Sequence, residues 1–167
     1  MMSADLNKTT GHGVYFSGNF EIEEQVSIDL NRKAEYRTYA VSINCGGADG
    51  GEPTRYEIRA LGYGPLSLAL KERFIYFLRG NFFPSNTTDT LKDNFYFEGS
   101  DYTMIGSADE FQGDVVDSIG VTGLGIVSKL RHVIEDCVQH LKNKDDVEPL
   151  KTIVATVKHT DYHPSYR

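Results

Sequence analysis

Tryptophan is absent from this 167-residue chain, and the sequence contains only two cysteines and five prolines. Two cysteines, Cys45 and Cys137, are too few for a disulfide-rich secreted scaffold. We expect two buried thiols, with a single bridge between them as the alternative. No apolar run reaches the length of about 20 residues that a transmembrane helix needs. Residues 1–13, MMSADLNKTTGHG, lack the apolar core of a signal peptide, although a mature chain without its signal would look the same.

Catalytic and cofactor signatures are also missing. There is no nucleophile elbow, and the Gly-Leu-Gly segment at 123–125 has neither the rest of the dinucleotide fingerprint nor the lysine of a phosphate-binding loop. His159, Asp161 and His163 alternate and could hold a metal from one face of a strand, but an exposed polar terminus is the simpler interpretation. We therefore predict a non-enzymatic protein with no cofactor and no metal.

The composition that is present favours a globular β protein. Hydrophobic residues make up 40% and charged residues 25% of the chain, and ten tyrosines, nine phenylalanines and 16 glycines suit short twisted strands and tight turns. We predict one β-rich domain over residues 13–167 after a flexible segment at 1–12. The net charge of −7 argues against a large nucleic-acid footprint but leaves room for a small basic groove.

The most apolar stretch runs from Lys71 to Pro84, KERFIYFLRGNFFP. Its length and its polar flanks predict a strand buried on both faces, which Gly80 interrupts with a bulge or a bend. The segment from Val14 to Ile22, VYFSGNFEI, contains a similar motif, in which two adjacent aromatic residues are followed by Gly-Asn-Phe. The two aromatic motifs predict two bent aromatic strands in one β architecture.

Alternating apolar residues predict further strands from Tyr36 to Cys45 and from Arg55 to Leu61, joined as a hairpin by a glycine-rich loop, and a last strand over residues 151–160. Between residues 129 and 142, apolar side chains recur at helical spacing and predict an amphipathic helix that covers an open end or face of the sheet. Its apolar members are Leu130, Val133, Ile134, Cys137, Val138 and Leu141. The fold class predicted is mainly β, a small barrel or sandwich with one helix near the C-terminus.

Aromatic and basic residues alternate along these strands, as they do in proteins that stack single-stranded bases among cations. The order of strands, with a glycine loop after the first strand of the hairpin and a glycine-bent strand after the second, resembles the OB-fold. Members of that family that bind single strands include replication protein A. The resemblance covers residues 36–160 and implies a barrel that binds single-stranded DNA or RNA without catalysis.

The pattern of aromatic and basic residues on the strands predicts Tyr39 and Tyr76 for base stacking, and Arg55, Arg59 and Arg79 for phosphate contacts. The alternative is that these arginines are ordinary solvent-facing residues of a sheet. An intracellular protein, nuclear or cytoplasmic, goes with nucleic-acid binding.

A second hypothesis is a protein-interaction module on a β scaffold, including a secreted or host-directed effector that has lost its signal peptide. The acidic net charge, the missing catalytic groups and the loop acids Asp109, Glu110 and Asp114 motivate it. A carbohydrate-binding or small-molecule-binding barrel is a third class, because tyrosine-rich pockets suit sugars.

Overall fold

The computed structural model describes residues 13–27, 35–46, 52–144 and 147–159. The predicted flexible segment at 1–12 lies outside the described residues. The strands are β1 (Val14–Glu21), β2 (Glu24–Ser27), β3 (Glu35–Cys45), β4 (Thr54–Gly64), β5 (Phe74–Phe83), β6 (Asn94–Ser107), β7 (Ile119–Gly123), β8 (Ile126–Val133) and β9 (Thr152–Lys158). Short 3-10 segments lie at Leu66–Leu68, Thr90–Lys92, Ala108–Glu110 and Asp136–Leu141. The prediction of a mainly β protein is confirmed.

Strands β1 to β7 form one mixed sheet in the order β2-β3-β4-β6-β5-β1-β7. Only Ile22 and Glu23 separate β1 from β2, although the two strands stand far apart in that order. The Ile22 N–H donates to the Phe74 carbonyl and the Glu23 N–H donates to the Ala40 carbonyl, both at 3.0 Å. One bent stretch of chain therefore pairs with β5 and then with β3, so the sheet has to curl on itself. The predicted small barrel or sandwich is observed only as this curled sheet.

The core lies inside the curl, where alternate residues of the strands converge. Its buried members are Phe16, Phe20, Ile22, Tyr39, Val41, Ile58, Ala60, Leu70, Tyr76, Leu78, Phe95 and Phe97. The predicted hairpin of β3 and β4 is confirmed as an antiparallel pair, with Val41 opposite Ile58. Period-two alternation explains this, because every second side chain points into the core.

The two aromatic motifs lie on neighbouring strands, because β1 and β5 pair antiparallel with Phe16 opposite Gly80. The bulge predicted at Gly80 is confirmed, because the register between β5 and β6 shifts between Leu78 and Gly80. A Cβ atom on Gly80 would overlap the carbonyl group of Tyr96, so the close approach of the strands requires glycine here. The prediction that this strand is buried on both faces is wrong: Phe77 is 39% exposed on its outer side.

The predicted helix over 129–142 is replaced by strand β8 and by the 3-10 segment Asp136–Leu141, and among the described residues no helix is seven residues long. Strand β8 pairs antiparallel with β9, with Leu130 opposite Ala155. We call this pair the C-terminal ribbon. Cross-strand hydrogen bonds and the β-branched residues of both strands override the helical spacing, because β9 needs a partner for its backbone groups. Leu130 is exposed rather than packed on the sheet.

The thiol expected to be buried at Cys45 is exposed. The side chain of Cys137 lies outside the described residues.

We predict that Ile134→Ala changes the free energy of unfolding by no more than about 0.5 kcal/mol, because Ile134 is 59% exposed. Phe95→Ala should cost about 3–5 kcal/mol, since Phe95 is fully buried in the core. Denaturant midpoints of the two variants measure the difference. A large loss of stability in Ile134→Ala would mean that the predicted helix over residues 129–142 forms in solution and packs on the sheet.

Candidate nucleic-acid interface

Four aromatic side chains gather on the outer surface of the curled sheet, and we call them the aromatic patch: Tyr36, Tyr63, Phe83 and Tyr96. Tyr36 of β3 lies directly opposite Tyr63 of β4, with ring centroids 5.2 Å apart. Tyr96 of β6 stands edge-on to Tyr36 at 5.8 Å, and Phe83 of β5 stands edge-on to Tyr96 at 5.6 Å. The patch therefore crosses four neighbouring strands.

Strand alternation explains why the rings collect there. On β3, Tyr39 and Val41 point inward, so Tyr36, an odd number of residues from both, points outward. On β4, Ile58 and Ala60 point inward, so Tyr63 points outward. Tyr36 is 54% and Tyr63 45% exposed, which leaves ring surface available for stacking against a planar ligand.

The two tyrosines predicted to stack on bases lie in the core instead. Tyr39 and Tyr76 are only 1% and 2% exposed. The Tyr39 phenol oxygen accepts the backbone N–H of Leu70, and the Tyr76 phenol oxygen accepts that of Lys71, each at 3.0 Å. Burial raises the pKa of Tyr39, and its phenol stays neutral at physiological pH. Rings enclosed in this way have no face to offer a base, so this part of the predicted site needs correction.

The three predicted arginines lie on the outer surface, and each pairs with a carboxylate. Arg55 contacts Glu23 at 2.6 Å and Arg59 contacts Glu57 at 2.8 Å. Arg79 donates two hydrogen bonds to Asp101, at 2.6 and 2.8 Å. These bonds hold the pKa of the Asp101 carboxyl below its usual range. The structure does not gather these arginines into one cluster, and a phosphate at any of them would compete with a carboxylate.

A polar cleft of about 360 Å³ opens beside the start of β4. It is lined by Glu21, Glu23, Ser42, Asn44, Arg55 and Val115. Two carboxylates and one arginine give it an acidic character that suits a small polar ligand better than a phosphate chain. Within the described ranges, no group of three or more histidine, cysteine or acidic residues is arranged to hold a metal ion.

No protein family model, no curated protein and no solved structure matches this chain. None of the described helical segments has the length and hydrophobicity needed to cross a membrane.

Sequence reasoning missed all four members of the patch, although the signal for two of them was present. Tyr39 alternates in step with Val41 and Ile43, and that apolar alternation already implies burial. The same alternation rule, applied to the opposite faces of β3 and β4, assigns Tyr36 and Tyr63 to the surface. Nothing in the sequence indicated that β5 and β6 bring Phe83 and Tyr96 alongside, because that depends on the order of strands in the sheet.

We predict that Tyr39→Phe lowers the free energy of unfolding by about 1–3 kcal/mol, because the buried N–H of Leu70 loses its acceptor. Thermal or denaturant unfolding measures the effect. Tyr36→Phe is the matched control and should be nearly neutral, since its ring is half exposed. Equal stability of Tyr39→Phe and the wild type would contradict the buried hydrogen bond.

Proposed function

We propose that this chain is a non-enzymatic module of OB type that binds single-stranded DNA or RNA, with bases stacked on the aromatic patch. The observation that carries the proposal is the half-exposed pair of Tyr36 and Tyr63 on the outer face of β3 and β4. A nuclear or cytoplasmic location goes with this proposal.

The order of strands supports the OB assignment. If β1 and β2 are counted as one bent strand, β3, β4, β5 and β6 become the second to fifth strands, and the order is one-two-three-five-four. The third and fifth of these, β4 and β6, are parallel, and the first strand also borders the fourth. This arrangement resembles the five-stranded, partly open barrel of OB-folds. The position between the third and fourth strands, where those folds carry a helix, holds the 3-10 segment Leu66–Leu68.

The place of the aromatic patch also supports the proposal. OB-folds bind oligonucleotides on the face of their second and third strands and with the loop between the fourth and fifth. Here these strands are β3 and β4, and the loop is residues 84–93. Phe83 lies at the start of that loop, and the Arg59 N–H donates to the Asp93 carbonyl at 3.0 Å, which ties the end of the loop to β4. The patch thus lies where the resemblance places the ligand.

Stacking, rather than phosphate binding, supplies the affinity at the patch. On the outer face of β4, Arg59 pairs with Glu57, and the loop lysine Lys92 pairs with Asp89 at 3.4 Å. A base stacked on an aromatic side chain contributes about 1–3 kcal/mol with little sequence preference. We therefore expect a binder that tolerates many sequences and prefers unpaired bases, whose faces are free.

We predict that Tyr63→Ala weakens binding of a 20-nucleotide oligothymidylate or oligouridylate about 5- to 150-fold, the loss of one stacked base. Fluorescence anisotropy at about 50 mM salt measures the affinity, because ionic contacts are strongest at low salt. Tyr56→Ala is the matched control: Tyr56 is 44% exposed on the same strand, about 23 Å away along β4.

The control should bind as the wild type does. Failure of the wild-type protein to bind either oligonucleotide at low salt would overturn the proposal. Equal losses in Tyr63→Ala and Tyr56→Ala would show that the patch is not the site.

The alternative function, a protein-interaction module, is favoured by one feature, the apolar face of the C-terminal ribbon. Val127, Leu130, Ile153 and Val157 share that face and are between 40% and 61% exposed. Capture of a protein that persists after nuclease treatment would support this alternative. We then expect Leu130→Ser to abolish the capture and Leu66→Ser, at a similarly exposed leucine away from the ribbon, to preserve it.

A further inference from the structure

The second face of the C-terminal ribbon carries its charge. Lys129 and Arg131 of β8 are separated by one residue, and Lys129 lies opposite Thr156 of β9. Lys158 is two residues beyond Thr156, so it points to the same side as Thr156. Lys129, Arg131 and Lys158 therefore share one face, which we call the cationic face. Neighbouring members stand about 7 Å apart, from the rise along a strand and the diagonal distance between strands.

No acidic residue lies on the two strands that form the cationic face. Strands β8 and β9, IVSKLRHV and TIVATVK, contain no acidic residue, and all three cations are exposed. Within the part of the chain that the structure describes, none of the three makes an ion pair.

The body of the protein, residues 13–123, shows the opposite pattern. Acidic side chains outnumber basic ones there. Five of its described cations pair with carboxylates: Arg55 with Glu23, Arg59 with Glu57, Arg73 with Asp109, Arg79 with Asp101 and Lys92 with Asp89. Among the described residues, Lys129, Arg131 and Lys158 thus form a group of exposed cations on one strand face without carboxylate partners.

The ribbon starts beside the aromatic patch. Val14 of β1 lies between Phe82 of β5 and Gly123 of β7 in the sheet. Two strand spacings, about 10 Å, thus separate the backbone next to Phe83 from the end of β7. Strand β8 follows after two residues, and the imidazole Nδ1 of His159 lies 3.1 Å from the Leu124 carbonyl, which holds the end of β9 at the same place.

From these observations we infer that the cationic face binds the sugar-phosphate backbone of the same single strand whose bases stack on the aromatic patch. The inference rests on the proposed function and assigns it a second contact surface. A strand that leaves the patch past Phe83 meets the base of the ribbon next, and the acidic surface of the body repels its phosphates from other paths. Three exposed cations at this spacing can each contact one phosphate.

The test removes the three charges together, as Lys129→Gln, Arg131→Gln and Lys158→Gln. The matched control removes three charges elsewhere, as Lys71→Gln, Arg73→Gln and Lys142→Gln, so both proteins have the same net charge. Affinity for a 20-nucleotide oligothymidylate and an oligouridylate is measured between about 50 and 200 mM salt. We expect the ribbon variant to lower the slope of log affinity against log salt by about 2, at 0.7 for each phosphate contact, and the control to keep the wild-type slope.

Each outcome has a separate meaning. Binding that Tyr63→Ala weakens, with an unchanged salt slope in the ribbon variant, overturns the inference and leaves the proposed function standing. No binding by the wild type overturns both. Lysine acetylation provides a measurement on the unaltered chain: the oligonucleotide should protect Lys129 and Lys158 but not Lys71, and equal labelling of all three with and without it also overturns the inference. Comparison of the affinities for oligothymidylate and oligouridylate shows whether DNA or RNA is preferred.

Discussion

The fold depends on a single bent stretch of chain, β1 and β2, which supplies hydrogen bonds to two strands that would otherwise stand far apart. Its first part pairs with β5 and its second part pairs with β3. At the bend, the N–H groups of Ile22 and Glu23 donate one to each side. Unpaired backbone groups in a buried position cost about as much as a lost hydrogen bond, so this double pairing fixes the curl of the sheet.

Once the sheet curls, the alternation of side chains along each strand decides which residues lie in the core and which lie on the surface. Phe16 and Phe20 of the bent stretch point inward and stack near Phe95 of β6, and Ile22 belongs to the same buried cluster. Residues of the opposite parity are left on the outside, where a solvated face is normally polar. The aromatic patch breaks that expectation on four adjacent strands, and such a local conflict is a common mark of a binding surface.

The sequence predicted those elements that are governed by local pattern. Alternation located β3 and β4, and the glycine within an apolar run located the bulge at Gly80, because both signals act over a few residues. The predicted helix over residues 129–142 is wrong, because the same apolar residues fit both a helical spacing and a strand rich in β-branched residues. Pairing with β9 favours the strand, and that pairing is not visible in the local sequence. The stacking role predicted for Tyr39 and Tyr76 conflicts with the structure, because both side chains point into the core. The cations of the candidate site could not be judged at all, because the carboxylate partners of Arg55, Arg59 and Arg79 depend on tertiary contacts.

Charge and aromatic surface are thus divided between two parts of the molecule, with rings on the sheet and free cations on the ribbon. This division makes the proposed nucleic-acid binding compatible with an acidic chain, because the local arrangement of charge, rather than the total, determines where a phosphate chain can lie. The hydrophobic and cationic faces of the ribbon are opposite each other. The proposed binding of a strand would therefore leave the hydrophobic face available to a protein.

The most direct test of the central claim is photocross-linking to an oligothymidylate that carries bromodeoxyuridine at alternate positions, followed by mass spectrometry of the linked peptides. Stacked bases place the reactive ring against the aromatic side chain, so we expect cross-links at Tyr36, Tyr63 or Tyr96. Tyr56 is exposed to a similar degree as Tyr63 and lies away from the patch on the same strand, so it serves as the internal control. Cross-links confined to Tyr56, or none at an oligonucleotide concentration that saturates binding, would contradict base stacking on the aromatic patch.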